Sequence, residues 1–264
     1  MFGFIGVGNM GGAVAAAGCK GAEADKVFLC NRTAEKAEKL AAHLGCAVTD
    51  NQTAAKTCRY LFLGVTPQNM KELLEGLRPI LQEKKPVLVS MAAGLTAAQI
   101  EDMAGGDIPV MRIMPNTPVA IGCGVIMYCK NGLLTAEDEQ ALVSALSPAG
   151  IVDPLEERLM DAGSALCGCS PAFTDLYMEA MADGAVACGI PRAKALKYAA
   201  AAVAGAARLA LESGEHPGAL KDAVCSPGGS TIQGIRTLEN RAFRGAVMEA
   251  VMVAAGASGD LGKK

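Results

Sequence analysis

The hydrophobic and polar positions of the chain follow two different patterns. Up to about residue 152, short apolar runs alternate with stretches whose apolar residues recur at helical spacing, and from Leu155 onward only the helical spacing remains. Strands that alternate with helices are typical of a doubly wound parallel sheet. We therefore predict an α/β domain over residues 1–153 and an all-α domain over residues 154–264.

The positions of the predicted elements follow from these runs. Strands are predicted at residues 1–5, 26–30, 59–65, 86–91, 109–114, 125–128 and 150–152. The helices of the first half are predicted at 13–18, 34–44, 68–81 and 96–103, and those of the second half at 156–166, 171–188, 191–211, 217–224 and 231–256. In an open sheet of this kind, ligands bind beyond the carboxyl ends of the strands.

A glycine-rich sequence follows the first strand directly. Gly6, Gly8 and Gly11 have the G-x-G-x-x-G spacing, and a helix of small residues comes next. The first glycine permits the tight turn, the second lets a pyrophosphate approach the backbone, and the third lets the helix lie close on the strand. Strand, glycines and helix occur in the order that the fingerprint requires. We therefore predict a Rossmann-type dinucleotide site rather than a fortuitous turn.

The residues after the second strand bear on which dinucleotide binds. The strand ends at Asn31-Arg32-Thr33, where an NAD-specific site has a carboxylate for the ribose 2′-hydroxyl. A guanidinium and two hydrogen-bonding side chains suit a 2′-phosphate instead. The sequence therefore favours NADP(H), with NAD(H) possible. The alternative is that Thr33 only caps the following helix.

Three further strand ends are small or polar. They are residues 64–67, 91–94 and 115–118, and they leave room for a cofactor at the edge of the sheet. Ordinary loop chemistry would also explain their composition.

A second glycine-rich run lies in the helical half, at residues 224–231. Pro227, Gly228 and Gly229 stand between the hydroxyl side chains of Ser226 and Ser230, and a helical pattern follows. Exposed backbone N–H groups at the positive end of a helix make a site for a small anion. The alternative is a glycine-rich turn that only caps the helix.

The helix predicted at 191–211 has small residues on nearly every side. Other helices can then approach it closely on several faces, and one domain of this size offers few such faces. We expect it to interlock with helices of a second copy of the chain, and burial within the monomer is the alternative.

Composition and charge exclude several classes of function. The 264 residues are 51% hydrophobic and 4% aromatic, with a formal net charge of −3 and no basic run, which argues against a nucleic-acid partner. The apolar uncharged stretch 198–207 of the second half is too short and too rich in alanine to span a bilayer, and no signal peptide is visible. We expect a cytoplasmic protein. The 10 cysteines include no Cys-x-x-Cys and the two histidines lie far apart, so we expect core thiols and no metal.

A dinucleotide site and an anion site together indicate hydride exchange with a small carboxylate-bearing molecule. An alcohol dehydrogenase needs a group that takes the hydroxyl proton, such as a histidine, a lysine or a Tyr-x-x-x-Lys pair. Neither histidine lies in a strand-end or glycine-rich segment, and no tyrosine has a lysine four residues on. Reduction of a protonated imine needs only a hydrogen bond to its nitrogen and a grip on its carboxylate. The sequence thus favours a C=N substrate.

These segments resemble the pyrroline-5-carboxylate reductase family along the whole chain. The matching pieces are residues 4–11, 90–94, 110–118, 171–173, 182–184, 226–232 and 238–239. The run Ser226–Ile232 matches the signature of that family. The resemblance implies a Rossmann domain followed by a helical dimerisation domain, and reduction of Δ1-pyrroline-5-carboxylate to L-proline by NADPH or NADH, the last step of proline biosynthesis.

The resemblance also implies roles for individual residues. The catalytic hydrogen bond to the ring nitrogen would come from Thr231, and the substrate carboxylate would lie on Ser226, Gly228, Gly229, Ser230 and Thr231. The cofactor would contact Gly6, Val7, Gly8, Asn9, Met10, Gly11, Asn31, Arg32, Asn51, Val65, Thr66, Pro67, Met91, Ala92, Ala93, Asn116 and Thr117. The expected partners are the cyclic imino acid and a second copy in a homodimer, which could assemble further.

This chain departs from the family pattern at a few places. Thr66 stands where the family usually has lysine, Phe173 where it has tyrosine, and Ser230 where it has threonine. The first two changes remove a charge near the cofactor and a phenol hydroxyl, whereas Ser230 keeps its hydroxyl.

Two other functions stay open on the residues alone. A β-hydroxyacid dehydrogenase has the same two-domain plan but needs a catalytic lysine on the first long helix of its second domain, and residues 163–181 contain none. A non-catalytic NADP-binding regulator would use the sheet domain as a sensor, but it would have no need of the second glycine-rich run.

Overall fold

The computed structural model describes residues 1–261, with side chains through Gly259. Eight strands form a single sheet. Their bounds are β1 Phe2–Ile5, β2 Val27–Cys30, β3 Ala47–Val48, β4 Tyr60–Leu63, β5 Val87–Ser90, β6 Val110–Pro115, β7 Gly124–Lys130 and β8 Gly150–Pro154.

The strand order is β3-β2-β1-β4-β5-β6-β7-β8, and all neighbours are parallel except β6 and β7. From β1 the chain builds outward first through β2 and β3, and then returns to place β4 on the other side of β1. The order therefore reverses between β1 and β4. Crevices at such switch points are where open α/β sheets bind ligands.

Twelve α-helices accompany the sheet or follow it in the described part of the chain. Their bounds are α1 Asn9–Gly21, α2 Ala34–Leu44, α3 Asn51–Thr57, α4 Pro67–Lys84, α5 Ala97–Met103, α6 Ala136–Leu146, α7 Met160–Ser164, α8 Ser170–Ala187, α9 Arg192–Ser213, α10 Pro217–Ala223, α11 Ser230–Asn240 and α12 Phe243–Leu261. Of these helices, none is long and apolar enough to span a bilayer.

Both faces of the central strands are buried, as their continuous apolar runs require, whereas the edge strands β3 and β8 are largely exposed. Along β4, Phe62 points to one face and stacks on Phe4 with 4.3 Å between ring centroids. Leu61 and Leu63 point to the other face and pack with Met70 of α4. The sheet therefore carries two apolar layers of its own, with helices outside them.

Spatial contacts divide the chain into two units. The first runs from Met1 to Gly168 and includes residues 254–261, and the second runs from Cys169 to Val253. The second unit is helical, as expected. The buried residues that join its helices α8 and α9 are alanines, Ala182, Ala195 and Ala199, and Tyr177 of α8 contacts Phe243 of α12 at 5.9 Å between ring centroids. The expected division after residue 153 stays a prediction.

Several local predictions were incomplete or wrong. β3, α3 and α6 were not predicted, and β7 is antiparallel to β6. The single helix expected over 231–256 is two helices, because the chain turns at Ala242, which has a φ of +55°. The segment expected as one helix over 156–166 consists of a 3₁₀ turn Glu157–Leu159, the short α7 and a π-helical turn Ala165–Cys169.

Candidate active site

A cavity of about 180 Å³ opens at the switch point of the sheet. It is bounded by the first turn of α1 and by the segments that follow β4 and β5. Its lining residues are Met10, Gly11, Gly64, Val65, Thr66, Pro67, Met91, Ala92 and Ala93. All of them except Gly64 are expected cofactor residues, so the structure brings three distant stretches of the sequence together around one space.

Three glycines permit the close approach of backbone that shapes this end of the sheet. Gly6 has a φ of +90°, and a Cβ there would lie 2.6 Å from the carbonyl oxygen of Gly64. A Cβ on Gly11 or Gly64 would lie 2.1 or 2.2 Å from the carbonyl oxygen of Gly6. Any side chain at these positions would force the backbone apart. Gly64 belongs to the strand end 64–67 that the sequence indicates, but its contact with Gly6 was not predicted, although a glycine directly after a buried strand is a signal of close backbone approach.

Gly8 and the start of α1 have the features of a phosphate site. No atom lies within 4 Å of the place where a Cβ on Gly8 would stand. Gly8 is the N-cap of α1, no side chain caps the helix, and its first turn contains no acidic residue. The backbone N–H groups of Asn9 and Met10, the first two residues of the helix, have no intrahelical partner. A free positive helix end beside an open glycine suits the pyrophosphate of a dinucleotide.

Asn31 holds the glycine-rich loop in place. Its Oδ1 accepts a hydrogen bond from the backbone N–H of Val7 at 3.2 Å, and its Nδ2 donates to the carbonyl of Thr33 at 3.0 Å. The side chain thus bonds to the backbone of the segments that follow β1 and β2, which differs from the phosphate contact that the sequence suggested. A sequence pattern cannot show this, since the partners of an amide depend on the loop geometry.

Arg32 and Thr33 are the groups at this strand end that stay exposed. Among the described residues, Arg32 has no ion pair with a carboxylate, and Thr33 is the N-cap of α2 without a capping hydrogen bond from its side chain. Asn51 begins α3 and follows Asp50, whose carbonyl accepts from the thiol of Cys30 at 3.6 Å. A guanidinium and a hydroxyl are therefore available for a phosphate beside the end of β2.

Thr66 and Pro67 begin α4. Thr66 is its N-cap, Pro67 its first residue, and the Thr66 hydroxyl accepts from Nδ2 of Asn69 at 3.0 Å. In the next strand end, the Ser90 hydroxyl accepts from the N–H of Ala92 at 3.3 Å and so fixes that loop.

Asn116 and Thr117 follow β6 and differ in exposure. Asn116 is 8% exposed, and its amide bonds to the backbone of Val125 and Cys167. Thr117 is exposed and begins a 3₁₀ turn, Thr117–Ile121. Neither residue lines the cavity described above, although both were expected near the nicotinamide.

The glycine-rich run of the second unit forms a tight turn that leads into α11. Pro227 and Gly228 occupy its centre, Gly228 has a φ of +70°, and the N–H of Gly229 donates to the carbonyl of Ser226 at 3.0 Å. This combination is typical of a type II turn. The N–H of Gly229, expected to bind an anion, is therefore used inside the turn.

The free donors lie one step further along the chain. Ser230 and Thr231 are the first two residues of α11, so their N–H groups have no intrahelical partner. No side chain caps the helix and its first turn contains no acidic residue. Both side chains are exposed, and among the described residues neither hydroxyl has a hydrogen-bond partner. Two N–H groups and two hydroxyls at a positive helix end can bind a carboxylate.

Neither histidine belongs to the cavity or to the turn. His43 lies in the last turn of α2, and Nδ1 of His216 accepts from the N–H of Gly218 at 3.1 Å as the cap of α10. The thiol of Cys30 is a poor nucleophile, because burial raises its pKa to about 12. The chemistry available at both sites is that of hydrogen-bond donors and backbone dipoles.

Comparisons with known proteins agree with this arrangement. A family described as pyrroline-5-carboxylate reductase dimerisation matches residues 157–261, and one described as NADP oxidoreductase, coenzyme F420-dependent, matches residues 1–94. The pyrroline-5-carboxylate reductase of Escherichia coli K12 is 38% identical over 252 residues, 94% of this chain and 93% of that protein.

Solved structures are similar over the whole chain. A pyrroline-5-carboxylate reductase from Coxiella burnetii has a TM-score of 0.93 and 30% identity, and covers 100% of this chain and 98% of its own. A Plasmodium falciparum pyrroline carboxylate reductase with NADP bound has a TM-score of 0.87 and 27% identity, with 99% and 97% covered.

Proposed function

The chain belongs to the pyrroline-5-carboxylate reductase family, and we propose that it reduces Δ1-pyrroline-5-carboxylate to L-proline with hydride from NADPH, as the last step of proline biosynthesis. The observation that carries this proposal is the 38% identity to a named reductase over 94% of the chain. The two family matches cover the dinucleotide fingerprint and the glycine-rich turn. The chain is an NAD(P)-dependent oxidoreductase.

The dinucleotide is proposed to bind at the switch point of the sheet. The N–H groups at the start of α1 would hold the pyrophosphate, with Gly8 giving it room. Arg32 would pair with the 2′-phosphate and Asn51 would lie at the ribose of the adenosine. The lining residues 65–67 and 91–93 would contact the remainder of the cofactor. A bound reduced nicotinamide supplies the hydride.

The cyclic imino acid is proposed to bind at the glycine-rich turn. The N–H groups of Ser230 and Thr231 would hold its carboxylate, together with the hydroxyl of Ser226. Gly228 permits the turn, and a Cβ on Gly229 would lie 2.4 Å from Oγ of Ser226, so a side chain there would force the Ser226 hydroxyl out of its present position. These roles depend on backbone N–H groups at the positive end of a helix and on a hydroxyl group. They need no acid or base of unusual pKa.

The hydroxyl of Thr231 is proposed to bond to the ring nitrogen. Hydride adds to the carbon of the protonated C=N bond, and the π electron pair passes to the nitrogen, so a neutral secondary amine results without another proton. The charge on the nitrogen changes in this step, and a fixed hydroxyl can stabilise that change.

We propose that two copies of the chain form a cytoplasmic homodimer whose helices interlock, and that this dimer can assemble further. The surface of the second unit supports the dimer. Large apolar side chains are exposed there, including Leu176, Leu211 and Met252. Exposed groups of large apolar side chains are typical of protein interfaces. The part of the chain that matches the dimerisation family contains all three.

The test follows NADPH absorbance with purified protein and Δ1-pyrroline-5-carboxylate. We expect rapid oxidation with the imine, slower oxidation with NADH, and none with a keto acid that would give an alcohol. Oxidation with the keto acid alone would favour a hydroxyacid dehydrogenase. Tight NADPH binding without any oxidation would favour a non-catalytic regulator.

A further inference from the structure

A buried asparagine connects two backbone segments beyond the end of β6. Oδ1 of Asn116 accepts from the N–H of Val125 at 2.8 Å, and its Nδ2 donates to the carbonyl of Cys167 at 3.0 Å. Its own N–H donates to the carbonyl of Val125 at 3.2 Å. Because the residue is 8% exposed, losing one of these partners would leave a polar group buried without compensation.

Cys167 lies at the centre of the π-helical turn Ala165–Cys169. Turns of this type interrupt the regular i to i+4 hydrogen bonds of a helix and often occur at functional sites. The carbonyl of Cys167 finds its partner outside the turn, in the amide of Asn116. The first four residues of the turn are the last of the first unit's long segment, and Cys169, its fifth residue, begins the second unit.

The same turn packs on a cluster of methionines that also contacts the cavity wall. The side chain of Cys167 belongs to an apolar cluster around Met114, Met127 and Met160, and Ala93 packs on that cluster as well. Ala93 also lines the cavity. A continuous set of contacts therefore leads from the amide of Asn116 through Cys167 and the methionines to the cavity.

We propose that Asn116 is a positioning residue, which fixes the turn 165–169 and through it the cavity wall at Ala93. It acts through the carbonyl of Cys167 and does not hold the dinucleotide itself. This role rests on the proposed reductase function and replaces the nicotinamide contact that the sequence suggested. Reactive geometry in enzymes is sensitive to displacements of about 1 Å, so a loosened wall should slow hydride transfer.

Asn131 provides a matched control at the opposite end of β6. Its Oδ1 accepts from the N–H of Val110 at 3.0 Å, and its Nδ2 donates to the carbonyl of Ile108 at 2.9 Å and to Glu101 at 2.8 Å. It is an asparagine with the same kind of backbone bonds and no place at the cavity. Its replacement by aspartate reports what the loss of such bonds costs in stability away from the cavity, with the added repulsion of a carboxylate beside Glu101.

The experiment compares Asn116→Asp, Asn116→Ser and Asn131→Asp in the full-length protein. At alkaline pH, Asn116→Asp keeps the acceptor for Val125 but replaces the donor to Cys167 with a carboxylate oxygen. We expect kcat/KM for the imine to fall roughly 100-fold. The dissociation constant for NADPH should change by less than about threefold, because no cofactor contact is lost.

The pH profile separates positioning from a general loss of stability. A protonated carboxyl can donate to the carbonyl of Cys167, and burial favours that neutral form. The activity of Asn116→Asp relative to wild type should therefore rise as the pH is lowered. Asn116→Ser, which adds no titratable group, should be impaired without this recovery, and Asn131→Asp should lower the melting temperature with kcat/KM within about twofold of wild type.

Hydrogen exchange of the segment 165–169 gives a readout that needs no activity. We expect faster exchange in both Asn116 variants and unchanged exchange in Asn131→Asp. If wild type does not reduce the imine, the proposed function fails, but exchange still decides whether Asn116 fixes the turn. Unchanged exchange in the Asn116 variants, wild-type kcat/KM, or a loss of NADPH binding in proportion to kcat would each overturn the proposal.

Discussion

The two units of this protein differ in where their large apolar side chains lie. In the first unit, Phe62, Leu61 and Leu63 of one strand are fully buried between sheet and helices. In the second unit, Leu211 and Met252 are 72% and 73% exposed, and the buried contacts between helices are made by alanines. The sheet unit has a complete core of its own. The helical unit presents an apolar surface that a second copy would cover.

The two glycine-rich sites differ in the same way. Gly6, Gly11 and Gly64 are packed against one another's backbone, so the proposed dinucleotide site is rigid within a single unit. Around Gly228 no atom lies within 4 Å of where a Cβ would stand, and its neighbours Ser226 and Ser230 are exposed. Substitutions at the first site should therefore affect folding and cofactor binding together. Substitutions at the second site should affect only the binding and reduction of the imine.

Replacing Thr231 tests the second site with the largest expected effect. Thr231→Ala should lower kcat on the order of 10–1000-fold, because it removes a hydrogen bond to the reacting nitrogen. NADPH binding should stay the same. The measurement is steady-state kinetics together with NADPH titration.

A second threonine of the same helix serves as the control. Thr237 donates from its hydroxyl to the carbonyl of Gln233, one turn back along α11, and is exposed. Thr237→Ala should leave kcat unchanged. Wild-type turnover in Thr231→Ala would remove Thr231 from the reaction.

A charge on the apolar face of the second unit tests its need for a partner. Met252→Lys should weaken self-association by about 2 kcal/mol, roughly 30-fold in the dissociation constant, because an ammonium would be buried in the interface. Leu133, 44% exposed in the first unit, is the matched position. Sedimentation should find Leu133→Lys as associated as wild type. Equal association of both variants would mean that Met252 lies outside the interface.

Two adjacent glycines of α1 test the rigidity of the first unit. Gly11→Ala places a Cβ 2.1 Å from the carbonyl of Gly6 and should cost about 1–3 kcal/mol of folding free energy, with weaker NADPH binding. Gly12→Ala meets nothing closer than 3.4 Å, from Leu40, and should be neutral or stabilising by up to about 1 kcal/mol. Chemical denaturation measures both. A stable Gly11→Ala protein would show that the backbone contact is not tight.

The acid stability of the first unit should depend on Asp138. Its carboxylate accepts from Nε of Arg59 at 3.1 Å, from the hydroxyl of Tyr60 at 3.1 Å and from the hydroxyl of Thr135 at 2.9 Å. Burial acts to raise the pKa of Asp138, but the hydrogen bonds from Arg59 and Thr135 outweigh burial and leave the pKa below its ordinary 3.8.

A lowered pKa means that the folded state prefers the ionised form of Asp138. Its contribution is therefore present above pH 3.8 and is lost as the pH falls below that value. Asp138→Asn should cost about 1 kcal/mol at neutral pH, since Arg59 is half exposed, and its stability should fall less steeply in acid. Parallel acid unfolding curves for variant and wild type would contradict this assignment.

The sequence was sufficient for the plan of the fold because its strands are continuous apolar runs. The helix Ala34–Leu44 has the predicted bounds. α6 was missed although Thr135 caps it and acidic residues fill its first turn, which are ordinary signals of a helix start. β3 has two residues, and the turn at Ala242 contains neither glycine nor proline, so no local pattern indicates either.

The candidate site was predictable where it depends on strand ends and less so where it depends on hydrogen-bond partners. Residues 65–67 and 91–93 lie around the cavity, since parallel strands bring their carboxyl ends to one edge. The amides of Asn31 and Asn116 and the N–H of Gly229 bond within the chain. Such pairings follow from backbone geometry that only the folded chain determines.

The most direct test of the reductase assignment is to identify the product made with labelled cofactor. The protein is incubated with Δ1-pyrroline-5-carboxylate and NADPH that carries deuterium at the transferable position of the nicotinamide, and the product is analysed by mass spectrometry and NMR. We predict L-proline with a single deuterium on C5, the carbon of the former C=N bond. Proline without deuterium, or no proline while NADPH remains bound, would contradict the account.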